Sequence, residues 1–255
     1  MGLPIGERDR LAAELLLAYA ARFPAWDYAN PGSTGYRVRV GHAVLGECWW
    51  IHGFNAGYDM IADSPSLTAD QRKTIERDFF LLDAEEIQVH RVCVNQQCEI
   101  NSAAGDAAVN AQNWFLAART ITGDYGLFDQ VELTFSEDGF SRENELPYHF
   151  AALIPLTEHG LVYEALGGRF FTPRVKRIFD APVAFSPTGN PGNANLYQIA
   201  HRYYGDPAFR FDQGDKPLAN SCLELAGRTT LRRGTSANPR YVQVMWGGST
   251  WRGGK

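Results

Sequence analysis

The sequence lacks the features that mark several classes of protein. With 24 Lys and Arg against 29 Asp and Glu, its formal net charge is −5 and it has no basic stripe, so we expect no nucleic-acid partner. No apolar run reaches the roughly 18 residues that a membrane span needs, which predicts no membrane partner. The most apolar N-terminal run, Leu11–Phe23, is interrupted by Glu14 and predicts an amphipathic helix rather than a signal peptide.

The cysteine and glycine patterns indicate neither a metal nor a cofactor. The four cysteines form no CxxC pair and no zinc-type Cys/His spacing, and they are typical of small buried apolar residues. They say nothing about the redox compartment. The pairs Gly247-Gly248 and Gly253-Gly254 lack the Lys and Ser/Thr of a phosphate-binding loop. We therefore predict no metal and no cofactor.

What the sequence does contain is apolar residues at helical spacing. Its 255 residues, 45% of them hydrophobic, suffice for one large domain or two small ones. Apolar periodicity predicts a series of helices along the first two hundred residues. Thr68 and Gln71 form a capping-box pattern, whereas Gly105-Asp106 could kink or break a helix. The helices are expected at about residues 7–23, 40–61, 68–90, 95–104, 107–120, 146–166 and 196–204.

Recurring helical hairpins predict an all-α fold, arranged as an incomplete toroid of antiparallel α/α hairpins. After residue 205 the composition changes: residues 207–238 are rich in Gly, Asp and Arg and predict loops. Arg240–Trp246 alternates in part and predicts a strand. We expect a helical domain at residues 1–205 and a loop-rich extension at 206–255. Because a strand needs a partner, this one either pairs locally or begins a β-sandwich that lies outside the chain.

Polar residues concentrate between two apolar helical runs in residues 95–163. The first run begins with Asn95-Gln96-Gln97, and the second begins at Tyr148-His149. Between them, Phe135–Pro147 holds an arginine, an Asp-Gly pair and four carboxylates, which are Glu137, Asp138, Glu143 and Glu145. Amides, a phenol and an imidazole at helix starts suit a site that handles a charged substrate.

These pieces resemble the helical domain of the heparinase II/III-like and alginate-lyase polysaccharide lyases. The resemblance spans about residues 40–167 and depends on the order and spacing of its parts. They are Ala56–Ile61, Asn95-Gln96-Gln97 with Asn101, Asp138-Gly139-Phe140, Glu143 and Tyr148-His149-Phe150. The family usually adds a C-terminal β-sandwich with another catalytic His or Tyr, for which this chain has no room.

The resemblance implies an enzyme that cleaves a uronic-acid polysaccharide, such as alginate or glucuronan, by β-elimination, in the periplasm or outside the cell. The reaction removes the C5 proton and expels the 4-linked oxygen, and it needs the uronate carboxylate neutralised. The resemblance implies Tyr148 as the base, Asn95 as a carboxylate ligand and His149 as a further catalytic candidate. The other candidates for contacting the acidic polysaccharide are His90, Arg91, Gln96, Gln97, Asn113, Trp114 and Glu143.

Each of these residues also has a simpler interpretation. Tyr148 could be a buried tyrosine with a bonded hydroxyl, and His149 could belong to the core or the surface. Asn95 could be a helix cap, and Gln97 an exposed first-turn residue. The tryptophans 49, 50 and 114 could be core side chains or platforms on which a sugar ring stacks.

Two other functional classes compete with the lyase. One is a glycoside hydrolase on a similar toroid, with Asp138 and Glu143 as the acid and base. The other is a non-catalytic carbohydrate-binding or helical interaction domain. Elimination leaves a conjugated C4–C5 double bond that absorbs in the ultraviolet, so product absorbance separates the first class from the lyase.

Overall fold

The structure, a computed structural model, describes residues 4–29, 38–41, 43–89, 91, 95–186, 188–210, 221–223, 228–235, 237 and 239–245. These residues are mostly helical, as predicted, with one small sheet. No helix among them is long and apolar enough to cross a membrane. The chain divides into two compact units, Met1–Val92 with Gln96–Leu127 and Cys93–Asn95 with Phe128–Lys255. The toroid and the boundary at residue 205 stay predictions.

Helices of the first unit follow the predicted periodicity. The capping box at Thr68 and Gln71 is present, with both reciprocal hydrogen bonds. The fifth helix runs unbroken through Gly105-Asp106, so the expected kink or break there is wrong. The elements are α1 (Ile5–Ala20), α2 (Val44–Asp59), α3 (Ala69–Ile75), a π-helical segment (Glu76–Leu81), α4 (Leu82–Ile87), α5 (Asn95–Asn110) and α6 (Trp114–Thr122).

An aromatic cluster fills the core of this unit, where α1 packs against α2 and α3. The rings of Tyr19 and Phe54 lie 4.6 Å apart between centroids, and those of Trp50 and Phe54 lie 4.9 Å apart. Phe79 stands 5.3 Å from the Phe23 ring and is fully buried. Edge-to-face and offset pairs at these separations add to the gain from removing apolar area from water. Trp50 is thus a core residue.

Two carboxyl groups are buried in the same unit. Glu47 on α2 accepts hydrogen bonds from the backbone N–H groups of residues 39, 40 and 41, at 3.0, 2.8 and 2.9 Å. Asp83 on α4 is fully buried, and no donor within the described residues reaches either of its oxygens. Burial, and then the charge of Glu47, raises the pKa of Asp83 well above its usual range. Asp83 therefore keeps its proton and can donate it to Glu47.

Arg39 neutralises a third carboxylate beside this pair. Its guanidinium forms a two-pronged contact with Glu86, at 2.6 and 2.8 Å, and it also donates to the backbone carbonyl of Trp26 at 2.5 Å. Forked guanidinium–carboxylate pairs are among the stronger charge-assisted hydrogen bonds. Glu86 is thereby paired with Arg39, whereas the charges of Glu47 and Glu86 both raise the pKa of Asp83 and that of Arg39 opposes them.

The second unit combines helices with an antiparallel sheet. Its elements are α7 (Leu127–Leu133), α8 (Leu146–Ala165), α9 (Pro173–Phe185), α10 (Ala194–Tyr204), β1 (Ser221–Leu223), β2 (Arg228–Gly234) and β3 (Pro239–Met245). The strand order is β1-β2-β3, with Cys222 opposite Thr229 and Leu231 opposite Val242. The strand predicted at 240–246 is confirmed up to Met245, and it pairs locally. The expectation of loops throughout 207–238 is wrong, because β1 and β2 lie within that range.

Side chains of the sheet bind the end of α9. Gln243 donates to the carbonyl oxygen of Phe185 at 2.8 Å, and buried Thr230 donates to the same oxygen at 3.2 Å. Ser221 donates to the carbonyl oxygen of Ala184. The last carbonyls of a helix have no partner inside the helix, so these contacts satisfy groups that would otherwise need water. The sheet is in this way attached to the helix that supports the polar segment described below.

The buried acid pair predicts how stability depends on pH. Asp83 binds its proton more tightly in the folded than in the unfolded chain, where its pKa is about 3.9. The contribution of Asp83 to the free energy of unfolding is therefore fully present below about pH 4. Above that pH it falls by about 1.4 kcal/mol per pH unit until the pKa of the folded state is passed. We expect Asp83→Asn, which does not titrate and still donates to Glu47, to raise the free energy of unfolding at pH 8 and to matter little at pH 4.

Denaturant titrations at both pH values measure this difference. Asp124→Asn is the matched control, because the Asp124 side chain is 86% exposed and 3.6 Å from Arg91, where an ion pair contributes little. An Asp83→Asn protein that is less stable than the wild type at pH 8 would show that Asp83 is ionised in the folded state.

Candidate functional site

A tight turn precedes α8 and carries the Asp-Gly pair. Phe135 and Ser141 form an isolated antiparallel bridge, and the N–H of Ser136 donates to the carbonyl of Phe140 at 2.9 Å. Gly139 has φ +89°, and a Cβ there would overlap the backbone carbonyl of Arg177. Only glycine fits both this backbone and this close approach to α9. The Ser136 hydroxyl contacts the Asp138 carboxylate, so Asp138 holds the turn together.

His149 is locked inside the second unit. Its ring is 0% exposed and lies against Phe135 and Phe140, with centroids 5.3 and 5.1 Å away. Nδ1 accepts the backbone N–H of Ser141 at 3.1 Å, so the ring proton sits on Nε2, which donates to the carbonyl of Ile178 at 3.1 Å. Burial lowers the pKa of His149 to about 3. Since both nitrogens are occupied and the ring is neutral, the catalytic role predicted for His149 does not fit this geometry.

Tyr148, its neighbour, points the other way. It is the third residue of α8, which begins after Glu145 with Pro147 in its first turn, where the missing N–H is not needed. The side chain is 46% exposed, and its hydroxyl makes no hydrogen bond to any part of the chain that the structure describes. The interpretation of Tyr148 as a buried, bonded tyrosine is therefore wrong. Its phenol is free to meet a ligand at the positive end of α8.

Asn95 belongs to the same unit as Tyr148 and begins α5. It is buried, at 7% exposure, and its backbone N–H donates to a carboxylate oxygen of Glu143 at 3.4 Å. Burial raises the pKa of Glu143, the N–H of Asn95 opposes this shift, and the charge of Glu145 adds to it. The carboxylate of Glu143, which was predicted to bind substrate, thus accepts a hydrogen bond from Asn95.

The remaining amides of the first turn of α5 belong to the first unit, and they differ in exposure. Gln97 is buried and donates to the side-chain oxygen of Asn101 at 2.9 Å. Gln88 donates to the same oxygen at 3.2 Å, and Asn101 donates to the carbonyl of Tyr125 at 2.7 Å. The prediction of an exposed Gln97 is wrong, and its amide supports the helix instead of facing a substrate. Gln96 is only partly buried and remains a binding candidate.

Other predicted contact residues are also placed in the first unit. The Asn113 side chain caps α6 by accepting the N–H of Leu116 at 3.1 Å. Its side-chain oxygen is therefore already bonded and is not available for the predicted binding role. Trp114 is 55% exposed and thus no core residue. Arg91 is exposed, 3.6 Å from Asp124. His90 lies outside the described residues.

A half-buried imidazole on α2 was not predicted at all. His52 lies 2.9 Å from the carboxylate of Asp106 and 3.6 Å from that of Glu99, both on α5. Although burial lowers its pKa, the hydrogen bond to Asp106 and the nearby carboxylate of Glu99 raise it to about 10. Glu99 also accepts the indole N–H of the exposed Trp49 at 3.0 Å. No sequence signal could have shown this, because only packing brings α2 and α5 together.

No three His, Cys, Asp or Glu side chains converge as metal ligands among the residues that can be described. Comparison with the models of known protein families gives no match, and the curated proteins contain no significantly similar sequence. The interpretation of the site therefore depends on its own geometry and on the resemblance of its motifs.

The pKa values of His149 and His52 are shifted in opposite directions from that of an ordinary imidazole, which is about 6.5. We expect His149 to stay neutral, with its proton on Nε2, from pH 8 down to about pH 4, and His52 to stay charged up to pH 8. Imidazole ¹⁵N chemical shifts, assigned with His149→Gln and His52→Gln, measure both. A midpoint near pH 6.5 for His149 would return it to the candidates for proton transfer.

Proposed function

We propose that the chain is a polysaccharide lyase that cleaves a uronic-acid polymer by β-elimination, with Tyr148 as the proton-transfer residue. One observation supports this most: an exposed phenol at the start of α8 follows a turn in which the Ser136 hydroxyl and the Asp138 carboxylate contact each other. Its neighbour His149 is buried and immobilised, which holds the first turn of α8 in place. A base on a rigid element is what directed proton abstraction requires.

In the proposed reaction the Tyr148 phenolate takes the C5 proton of a uronate. The C5–H electron pair forms the C4–C5 double bond, and the C4–O bond to the next sugar breaks. The same phenol, now protonated, gives its proton to the leaving oxygen when both groups lie on one face of the ring.

The substrate carboxylate needs hydrogen-bond donors as charge develops on it. Asn95 is the candidate within the second unit: its backbone N–H donates to Glu143, and its side-chain amide is the donor proposed for the substrate carboxylate. An amide donor that meets the growing dianion lowers the barrier more than it strengthens binding. In this proposal Asn95 stabilises the charge that develops on the substrate carboxylate, and Tyr148 transfers the proton.

The hydrolase alternative has less support from the geometry. It needs two free carboxyl groups, and the candidates were Asp138 and Glu143. Asp138 contacts the Ser136 hydroxyl in the turn, and Glu143 accepts the N–H of Asn95. A non-catalytic binding domain is separated from the lyase by the experiment that follows.

Replacing Tyr148 tests the proposal directly. Tyr148→Phe keeps the ring but removes the hydroxyl, so turnover of a polyuronate, followed by the absorbance of the unsaturated product, should fall about 10²–10⁴-fold. The free energy of unfolding should stay within about 0.5 kcal/mol of the wild type, since the hydroxyl is exposed.

Tyr163→Phe, on the same helix, is the matched control and should keep wild-type turnover. Near-normal turnover in Tyr148→Phe would remove Tyr148 from the mechanism. Binding of polyuronates without cleavage by the wild type would support the non-catalytic class instead.

The choice between the two epimeric blocks of alginate tests whether one tyrosine does both proton transfers. Polymannuronate and polyguluronate differ only at C5, so they present that proton on opposite faces relative to O4. A single phenol reaches both groups only when they are syn, and we expect initial rates to favour the syn block strongly. Equal rates on both blocks would require a second proton-transfer group.

A further inference from the structure

A chain of hydrogen bonds leads from α9 to the start of α5 through the polar segment. His149 donates to the carbonyl of Ile178 and accepts the N–H of Ser141, each at 3.1 Å. The Ser141 hydroxyl accepts the N–H of Glu143 at 3.2 Å. The Glu143 carboxylate then accepts the N–H of Asn95 at 3.4 Å. All five residues belong to the second unit.

Glu143 is the carboxylate in this chain of hydrogen bonds, and it contacts Asn95, a predicted site residue. Its carboxylate is half-buried and meets a backbone amide at the first residue of α5, where a negative charge is favoured by the helix dipole. A carboxylate in this position is poorly suited to contact a uronate directly, because two like charges would face each other. The substrate-binding role predicted for Glu143 is therefore replaced by a structural one.

We propose that Glu143 is a positioning residue, whose ionised carboxylate holds the main-chain amide of Asn95 and so fixes Asn95 relative to the turn that leads into Tyr148, within the second unit. The effect on turnover rests on the proposed lyase function, whereas the contact itself does not. Protonation of Glu143 weakens the contact, because a neutral carboxyl is a poorer acceptor than a carboxylate.

The charged groups around Glu143 set the pH range. Burial raises its pKa, the Asn95 amide opposes that rise, and Glu145 adds to it. The contact is therefore lost at a higher pH than for an exposed glutamate. We expect the acid limb of the turnover–pH profile to follow the titration of Glu143.

The amide ¹H shift of Asn95, measured against pH, tests the contact without any substrate. In the wild type it should follow a single titration, which Glu143→Gln should abolish. Glu145→Gln removes the neighbouring charge and should move the midpoint to lower pH. An Asn95 amide that does not respond to pH in the wild type, or that titrates unchanged in Glu143→Gln, would overturn the proposal.

Steady-state kinetics test the effect of this contact on turnover. Glu143→Gln keeps an acceptor oxygen, so kcat should fall about threefold at neutral pH and its acid limb should move to lower pH. Glu143→Ala loses the acceptor, and kcat should fall about tenfold or more with a smaller change in KM. An unchanged acid limb in Glu143→Gln would contradict the role. If the wild type cleaves no polyuronate, the lyase proposal fails, and the Asn95 amide titration alone decides whether Glu143 positions Asn95.

Discussion

The burial of a neutral imidazole is the constraint on which the candidate site depends. Because the N–H of Ser141 occupies Nδ1 of His149, the ring proton must lie on Nε2, and that proton binds the carbonyl of Ile178. One side chain thus joins the turn, α8 and α9. Successive residues on an α-helix are separated by about 100° around its axis, so a buried His149 directs Tyr148 away from the core. Of the two neighbours of His149 on α8, Tyr148 is 46% exposed, whereas Phe150 is buried.

Local periodicity explains which elements could be predicted. The helix at 146–166 and the capping box at Thr68 follow from spacing and hydrogen-bonding groups that are close in sequence, and both are present. The strands Ser221–Leu223 and Arg228–Gly234 were missed, because the first is three residues long and the second has little alternation of apolar and polar residues. β1 is stabilised by pairing with β2, and β2 by pairing with β3. Thr230 of β2 also donates to the carbonyl oxygen of Phe185 in α9, a contact between residues remote in sequence.

Long-range contacts also limit what could be predicted about the individual site residues. The sequence predicts that Tyr148-His149 and Asn95-Gln96-Gln97 stand at helix starts, and it cannot predict which member of each group is exposed. Exposure depends on partners that are remote in sequence: Ile178 for His149, and Asn101 with Tyr125 for the Gln97 amide. The pairing of His52 with Glu99 and Asp106 also needs two helices to be packed together. Residue types were therefore predictable, and their roles were not.

The arrangement of the carboxylates removes an apparent conflict. Four acidic side chains just before Tyr148 would oppose the approach of a polyuronate if all of them faced it. Asp138 instead contacts Ser136 within the turn, and Glu143 accepts the N–H of Asn95, while Glu137 and Glu145 remain exposed to water. Exposed charges are screened over about 8 Å at physiological salt, whereas partly buried ones are screened much less. In the proposed function, Asp138 and Glu143 would therefore contact groups of the protein and not the uronate.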